Sequence, residues 1–224
     1  GWDLPDGPPE AGGYTVCELR GKTVAGLGPK MNPDFPTVWM SYVNVADADA
    51  AAERITAHGG TVFLAPMSVL DAGRMAIFAD PAGAVLGLWQ PGTHLGAQLA
   101  NEPGAFCWNE LLTTDVAGAK SFYGAVFGWE GVDVAGPEGG HGYTEWQLGG
   151  RTIGGMMPKT ADMPAEMPPS WGVYFAVADA DAAVGRIQAL GGTLLMGPVD
   201  IDPGRFAVVA DPQGAVFNVI ALRG

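Results

Sequence analysis

Ala46-Asp47-Ala48-Asp49-Ala50 recurs letter for letter as Ala178-Asp179-Ala180-Asp181-Ala182, and this repetition decides the fold. The match widens in both directions. Gly59-Gly60-Thr61 returns as Gly191-Gly192-Thr193. Ala79-Asp80-Pro81 with Gly83-Ala84-Val85 returns as Ala210-Asp211-Pro212 with Gly214-Ala215-Val216. Upstream, Gly1-Trp2 matches Gly128-Trp129, Pro9-Glu10 matches Pro137-Glu138, and Gly13-Tyr14-Thr15 matches Gly142-Tyr143-Thr144. Order is kept and the offset drifts by only a few residues, so the chain is a tandem duplication. The first copy spans 1–91 and the second 104–224, while 92–103 has no partner in the repeat and reads as a linker. The second copy opens with a strand-like run (105–113) and a helix (115–127) that the first copy lacks. A domain without them exposes a sheet edge and a helix-docking face, so a longer parent chain is expected.

Within the complete copy, Val116, Ala119, Phe122, Tyr123, Val126 and Phe127 recur at helical spacing behind the cap candidates Thr114 and Asp115, and Gly128 ends the helix. Strands are expected at 143–148 and 151–156 about a Gly149-Gly150 turn. A surface loop is expected over the Met- and Pro-rich segment 156–170, then a strand over 171–178 whose Val173, Phe175 and Val177 alternate. A helix over 179–190 and three further strands complete a β-α-β-β-β order, with a turn at Asp211-Pro212-Gln213-Gly214 before the last strand.

Composition excludes several classes. Apolar residues make up 48% and charged residues 16%, a globular balance. Acidic residues number 24 against 11 basic, a formal charge of −13. Phosphate backbones and anionic lipid are repelled by that charge, so no nucleic-acid and no membrane partner is expected, whereas a cationic ligand is compatible with it. No apolar run approaches the roughly 20 residues of a membrane-spanning helix and no signal peptide opens the chain, so the expected location is cytoplasmic, with secretion left open. Cys17 and Cys107 sit in strand-like runs and read as small buried thiols.

The run Ala119-Lys120-Ser121-Phe122-Tyr123-Gly124-Ala125-Val126-Phe127-Gly128-Trp129 and the Asp-Pro-x-Gly turns at Asp80 and Asp211 resemble the vicinal oxygen chelate superfamily. That superfamily holds glyoxalases, extradiol dioxygenases and bleomycin-resistance proteins, and the likeness is greatest to its tandem-domain actinobacterial members. The resemblance covers nearly the whole chain outside the linker. It implies an α+β fold: tandem vicinal oxygen chelate domains built from βαβββ modules, with cupped mixed sheets and helices on their outer face. It also implies a divalent metal held in the cup by His and Glu ligands on four strands.

Counting onto the family's ligand positions gives Trp108, Gly172 and Met40 ahead of the capping aspartates, and Asn218 and Gly87 beyond the turn aspartates. The remaining ligand strands offer Gly154-Gly155-Met156 and Ala25-Gly26-Leu27. No His, Asp, Glu or Cys stands at any of these positions, and Trp, Gly and Met supply neither the oxygen nor the imidazole that a hard or borderline divalent ion needs, so neither a metal nor another cofactor is expected. His58, His94 and His141 lie elsewhere and read as structural.

Strand alternation puts Glu110 in register with Trp108 and Leu112, facing the cup. There a carboxylate in an apolar cavity serves as general base or as counter-ion to a cationic ligand, or stands as an ion-paired or interface glutamate. Trp108, Tyr174 and Asn218 in the second copy, and Met40, Tyr42 and Trp89 in the first, are the expected ligand-lining residues. The segments 28–37 and 156–170 are placed as lids.

Three readings survive. The chain is a metal-free glyoxalase/bleomycin-resistance-like protein that binds a small organic molecule in a cupped-sheet cavity. Alternatively it is a lyase, isomerase or hydroxylase-like enzyme using Glu110. Or it is a protein-interaction module, with a homodimer among the arrangements left open.

Overall fold

The computed structural model describes residues 1–7, 9–30, 32–134 and 142–223. His141 and the Pro137-Glu138 match of the repeat lie outside the described residues. The first copy runs β1 (Thr15–Leu19), β2 (Lys22–Leu27), β3 (Tyr42–Asn44), α1 (Ala48–Ala57), β4 (Thr61–Val69), β5 (Gly73–Ala79) and β6 (Val85–Pro91). The second runs β7 (Phe106–Thr113), α2 (Val116–Phe127), β8 (Glu130–Val134), β9 (Tyr143–Leu148), β10 (Arg151–Pro158), β11 (Ser170–Ala176), α3 (Ala180–Ala189), β12 (Thr193–Ile201), β13 (Gly204–Ala210) and β14 (Val216–Leu222). The mixed α+β class and the repeated β-α-β-β-β order are as the sequence implies.

Each helix starts on the aspartate read as its cap. Asp47, Asp115 and Asp179 accept hydrogen bonds from the backbone N–H of Ala50, Gly118 and Ala182, which satisfies an orphan donor of the first turn. Gly128 closes α2 in the left-handed region, at φ 72°, where a side chain is strained.

The chain divides into two compact units that do not follow the copies. One takes 1–39, 95–108 and 173–224, and the other takes 40–94 and 109–172. The boundaries at 91 and 104 mark the duplicated sequence, whereas each unit of packing draws on both copies.

In the unit of 40–94 and 109–172, one sheet runs β3-β6-β5-β4 and another β7-β10-β9-β8. Period-two alternation decides what is buried. Ala76, Phe78, Leu86, Leu88, Leu111, Trp146 and Met156 point to one side, where they pack with Ile55 of α1 and Phe122, Tyr123 and Val126 of α2. Burying each large side chain contributes about 1.5–3 kcal/mol, which is what holds the helices on that face.

In the unit of 1–39, 95–108 and 173–224, β1 and β2 form a hairpin and β12-β13-β14-β11 a sheet. Val184, Ala207, Val209 and Val219 make one core, and Cys17, Val24 and Ala105 another. Trp2, Trp39, Phe175 and Phe217 stack edge to face at centroid distances of 5.0–6.1 Å. The linker is tied along β2, with Gln98 N–H donating to Thr23 O at 2.8 Å and Thr23 Oγ1 to Gly96 O at 2.9 Å.

Two expectations are corrected. Met156 does not begin a surface loop: β10 continues through Pro158, pairing Met156 with Leu111 and Pro158 with Thr113, and Met156 is fully buried. The strand ends where proline no longer needs to donate. Strand β8, which the expected strand order requires, had no clear run of its own because Gly131 and Asp133 interrupt it. Among the described residues no helix is long and apolar enough to cross a membrane.

Candidate ligand-binding sheet faces

The side of each sheet turned away from the helices carries the residues singled out by sequence. On β3-β6-β5-β4, Tyr42, Gly87 and Ile77 stand opposite one another in one row, and Asn44, Trp89, Met75 and Met67 in the next. Met40 precedes this sheet, half-buried. Neither row contains a charged residue. Tyr42 is 46% exposed and its ring lies over Gly87, where an added Cβ would overlap ring atoms. Trp89 donates Nε1–H to His94 O at 2.8 Å, and its ring meets the His94 imidazole edge-on at 5.8 Å.

On β7-β10-β9-β8, Glu110, Gly155, Glu145 and Val132 form one row. Tyr143 shares the face of Glu145, two residues along β9, and its hydroxyl donates to Glu110 Oε2 at 2.8 Å. Gly155 makes this possible, because a Cβ there would overlap the Tyr143 hydroxyl. Leu111 points the opposite way into the core, so the alternation that puts Glu110 on this face holds. Tyr143 was not among the expected site residues. Its signal was the recurrence of Tyr14 with Gly26 as Tyr143 with Gly155; Tyr14 likewise lies over Gly26.

In the other unit, Tyr174, Asn218, Val208 and Met196 form the row equivalent to that of Tyr42. Here Tyr174 is only 8% exposed and leans on Phe206 at a centroid distance of 6.2 Å. Asn218 is buried and donates Nδ2–H to Val173 O at 3.1 Å. Trp108 is half-buried on β7. Its neighbour Cys107 directs Sγ at Tyr174 O at 3.5 Å, and burial pushes that thiol up to about 11.

Among the described residues, no three His, Cys, Asp or Glu side chains gather where they could hold a metal ion. The residues at the family's ligand positions fit one poorly, since indole, thioether and glycine offer no hard donor and Asn218 brings a single neutral amide oxygen. His58 caps α1, with its Nδ1 2.8 Å from Arg54 O.

One buried polar network lies away from these faces. Trp171 Nε1–H donates to Tyr123 Oη at 2.8 Å, Tyr123 Oη–H donates to Asp80 Oδ2 at 3.0 Å, and Asp80 Oδ1 accepts from Ala82 N and Ala84 N at 2.9 Å each. Burial, with the Asp80 charge beside it, holds the Tyr123 hydroxyl protonated well above its ordinary range. A small cavity of ≈ 240 Å³ beside it is lined by Asp80, Pro81, Ala82, Thr114, Asp115, Gly118 and Ala119. Both of its carboxylates are already bonded to backbone amides of their own turns.

Residues 5–88 and 105–219 match the family profile described as Glyoxalase/Bleomycin resistance protein/Dioxygenase superfamily. The chain is 41% identical over 229 residues to "Putative glyoxylase CFP32" of Mycobacterium tuberculosis (strain CDC 1551 / Oshkosh), covering 98% of this chain and 85% of that protein. It is 38% identical over 231 residues to "Anthracycline biosynthesis protein DnrV" of Streptomyces peucetius, covering 96% of this chain and 82% of that protein. Among solved structures it resembles the Mn(II)-bound glyoxalase from Novosphingobium aromaticivorans, with TM-score 0.61, 16% identity, and coverage of 99% of this chain and 74% of that one. It also resembles 2,2',3-trihydroxybiphenyl 1,2-dioxygenase from Sphingomonas wittichii strain RW1, with TM-score 0.60, 16% identity, and coverage of 98% and 81%. At these identities the structural likeness speaks for the fold alone.

Proposed function

Because the chain belongs to the Glyoxalase/Bleomycin resistance protein/Dioxygenase superfamily, we propose that it is a member that binds a small organic molecule on a sheet face without a metal ion. One observation carries this reading. Where the family resemblance places ligands, the chain has Trp108, Gly172, Met40, Asn218 and Gly87, and the faces around those positions carry aromatic rings, thioethers and amides, with the carboxylates Glu110 and Glu145 in one row of the β7-β10-β9-β8 sheet. Such a surface binds by apolar contact and a few hydrogen bonds. The names of two relatives, "Putative glyoxylase CFP32" and "Anthracycline biosynthesis protein DnrV", concern small organic molecules and support binding of that class.

The excess acid of the chain disfavours an anionic ligand, nucleic acid and anionic membrane, and leaves neutral or cationic molecules as candidates. A homodimer stands as a further proposal, which sedimentation equilibrium tests directly. The test of binding is thermal unfolding of EDTA-treated protein against small organic molecules sorted by charge. A ligand at 100 times its Kd stabilises the fold by about 2.7 kcal/mol, a readily measured shift. Hits that persist in EDTA are expected, and hits that appear only after Mn(II), Zn(II) or Ni(II) is added overturn the reading.

A second reading, a lyase, isomerase or hydroxylase-like enzyme, is favoured by the Tyr143–Glu110 hydrogen bond, which holds a carboxylate on a sheet face as a general base requires. For that reading Glu110→Gln lowers turnover about a hundredfold or more with binding retained. Equal turnover in the variant removes Glu110 from any catalytic role.

A further inference from the structure

Gly87 stands at the position where the family resemblance expects a metal-binding glutamate, seven residues beyond Asp80. What fills the space instead is the ring of Tyr42 from the neighbouring strand. A glutamate could not return there unless the ring moved, because even its Cβ would overlap the ring. We infer that Tyr42, laid over Gly87, is the stacking residue that sets ligand specificity on the β3-β6-β5-β4 sheet, and that it takes a planar, conjugated, uncharged molecule. This rests on the reading that the sheet faces bind small organic molecules.

The chemistry of the face selects that class. Tyr42 is 46% exposed although it is the largest side chain in its row. Its neighbours across the sheet, Ile77, Met75, Met67 and Trp89, are apolar, and the thioethers adapt to different outlines. Trp89 has its N–H committed to His94 O and its ring edge-on to the His94 imidazole, so it adds apolar surface rather than a free donor. Asn44 is the polar side chain beside Tyr42 in these two rows, and neither row carries a charged residue, even though the chain as a whole carries −13. A flat π system stacks on a tyrosine ring with a preference for offset or edge-to-face geometry, which a small aliphatic ligand cannot use. The same device recurs as Tyr14 over Gly26 and Tyr143 over Gly155, so a glycine opposite a tyrosine is a repeated feature of these faces.

The test is fluorescence titration of the EDTA-treated full chain with three planar dyes: Nile red (neutral), proflavine (cationic) and 1-anilinonaphthalene-8-sulfonate (anionic). Nile red is expected to saturate and to bind tighter than either charged dye. Stacking on an aromatic side chain is worth enough that Tyr42→Ala weakens binding about tenfold or more, whereas Tyr42→Phe, which keeps the ring, stays within about twofold. Gly87→Asn, which pushes the ring aside, is expected to weaken binding as Tyr42→Ala does. Far-ultraviolet circular dichroism checks that each variant folds; Tyr42→Ala alters a half-exposed side chain and is the decisive arm. Saturable Nile red binding that is indifferent to Tyr42→Ala overturns this inference and leaves the broader binding proposal standing. Tighter binding of a charged dye overturns the uncharged class. No saturable binding of any dye by the unaltered chain overturns both.

Discussion

Residues 42–91 and 170–222 are copies of one module, yet one presents an open face and the other a filled one. The frame is shared to the level of single bonds. Asp47 and Asp179 cap equivalent helices, and Asp80 and Asp211 fold equivalent turns by accepting from the amides two and four residues on. Arg74 and Arg205 clamp Asp49 and Asp181 in turn. What differs is a handful of side chains on that frame. Tyr42 lies over a glycine and is open, whereas Tyr174 stands opposite Asn218, leans on Phe206 and is buried. Asp80 is 4% exposed and takes a third hydrogen bond from Tyr123, whereas Asp211 keeps only its turn. The turn, cap and clamp residues are thus common to both copies, and substitutions at face positions decide whether a copy's face is open or filled.

The comparison can be broken most forcefully at the two turn aspartates. Asp80→Ala removes three hydrogen bonds and leaves buried donors without partners, so urea unfolding should show a loss of about 3 kcal/mol. Asp211→Ala, at a half-exposed turn, should cost about 1 kcal/mol. Equal losses would mean that the Tyr123–Asp80 bond adds nothing to the first copy. Next in size, Asn218→Gly makes the filled face resemble the open one. It loses the bond to Val173 O and should cost about 1–2 kcal/mol, again by urea unfolding, while raising the exposure of Tyr174 to fluorescence quenchers. Unchanged quenching would show that Asn218 does not hold the face closed.

A smaller effect follows from Cys107, whose sulfur faces Tyr174 O in the filled region. Its folded pKa, raised to about 11 by burial, lies above that of the unfolded thiol, so the fold favours the protonated form. The stability it contributes is fully present below the unfolded value and is lost as pH rises through about 11. Thiolate absorbance, compared between the chain and Cys107→Ser, should place the midpoint near 11. A midpoint in the ordinary thiol range would contradict the burial. Smallest of all are the arginine clamps. Arg74→Ala and Arg205→Ala break exposed ion pairs, and the slight difference each makes in melting temperature should vanish in high salt.

Much of this was legible in the sequence. The repeat, the capping aspartates and the alternation of Leu86 and Leu88 with Gly87 and Trp89 dictate the modules and which sheet face is buried. The placing of Glu110 opposite to Leu111 follows from period two alone. Packing across the repeat was not legible: that 40–94 joins 109–172 in one unit depends on contacts such as Phe78 with Phe122, which no local pattern encodes. Nor was the role of the glycines. Gly87 and Gly155 read as vacant ligand positions, and only the tertiary structure brings Tyr42 and Tyr143 over them. Met157 and Pro158 read as part of a loop because the segment they open is rich in Pro, a poor strand former, and tertiary pairing with Leu112 and Thr113 overrode that preference.

The central proposal is that the chain binds its ligand without a metal ion, Tyr42 lying over Gly87 at one of the family's ligand positions. Calorimetric titration of EDTA-stripped protein with Mn(II) and with Zn(II) tests it most directly. The account predicts no saturable binding of either ion at micromolar concentration, and stoichiometric binding of one ion per copy would contradict it.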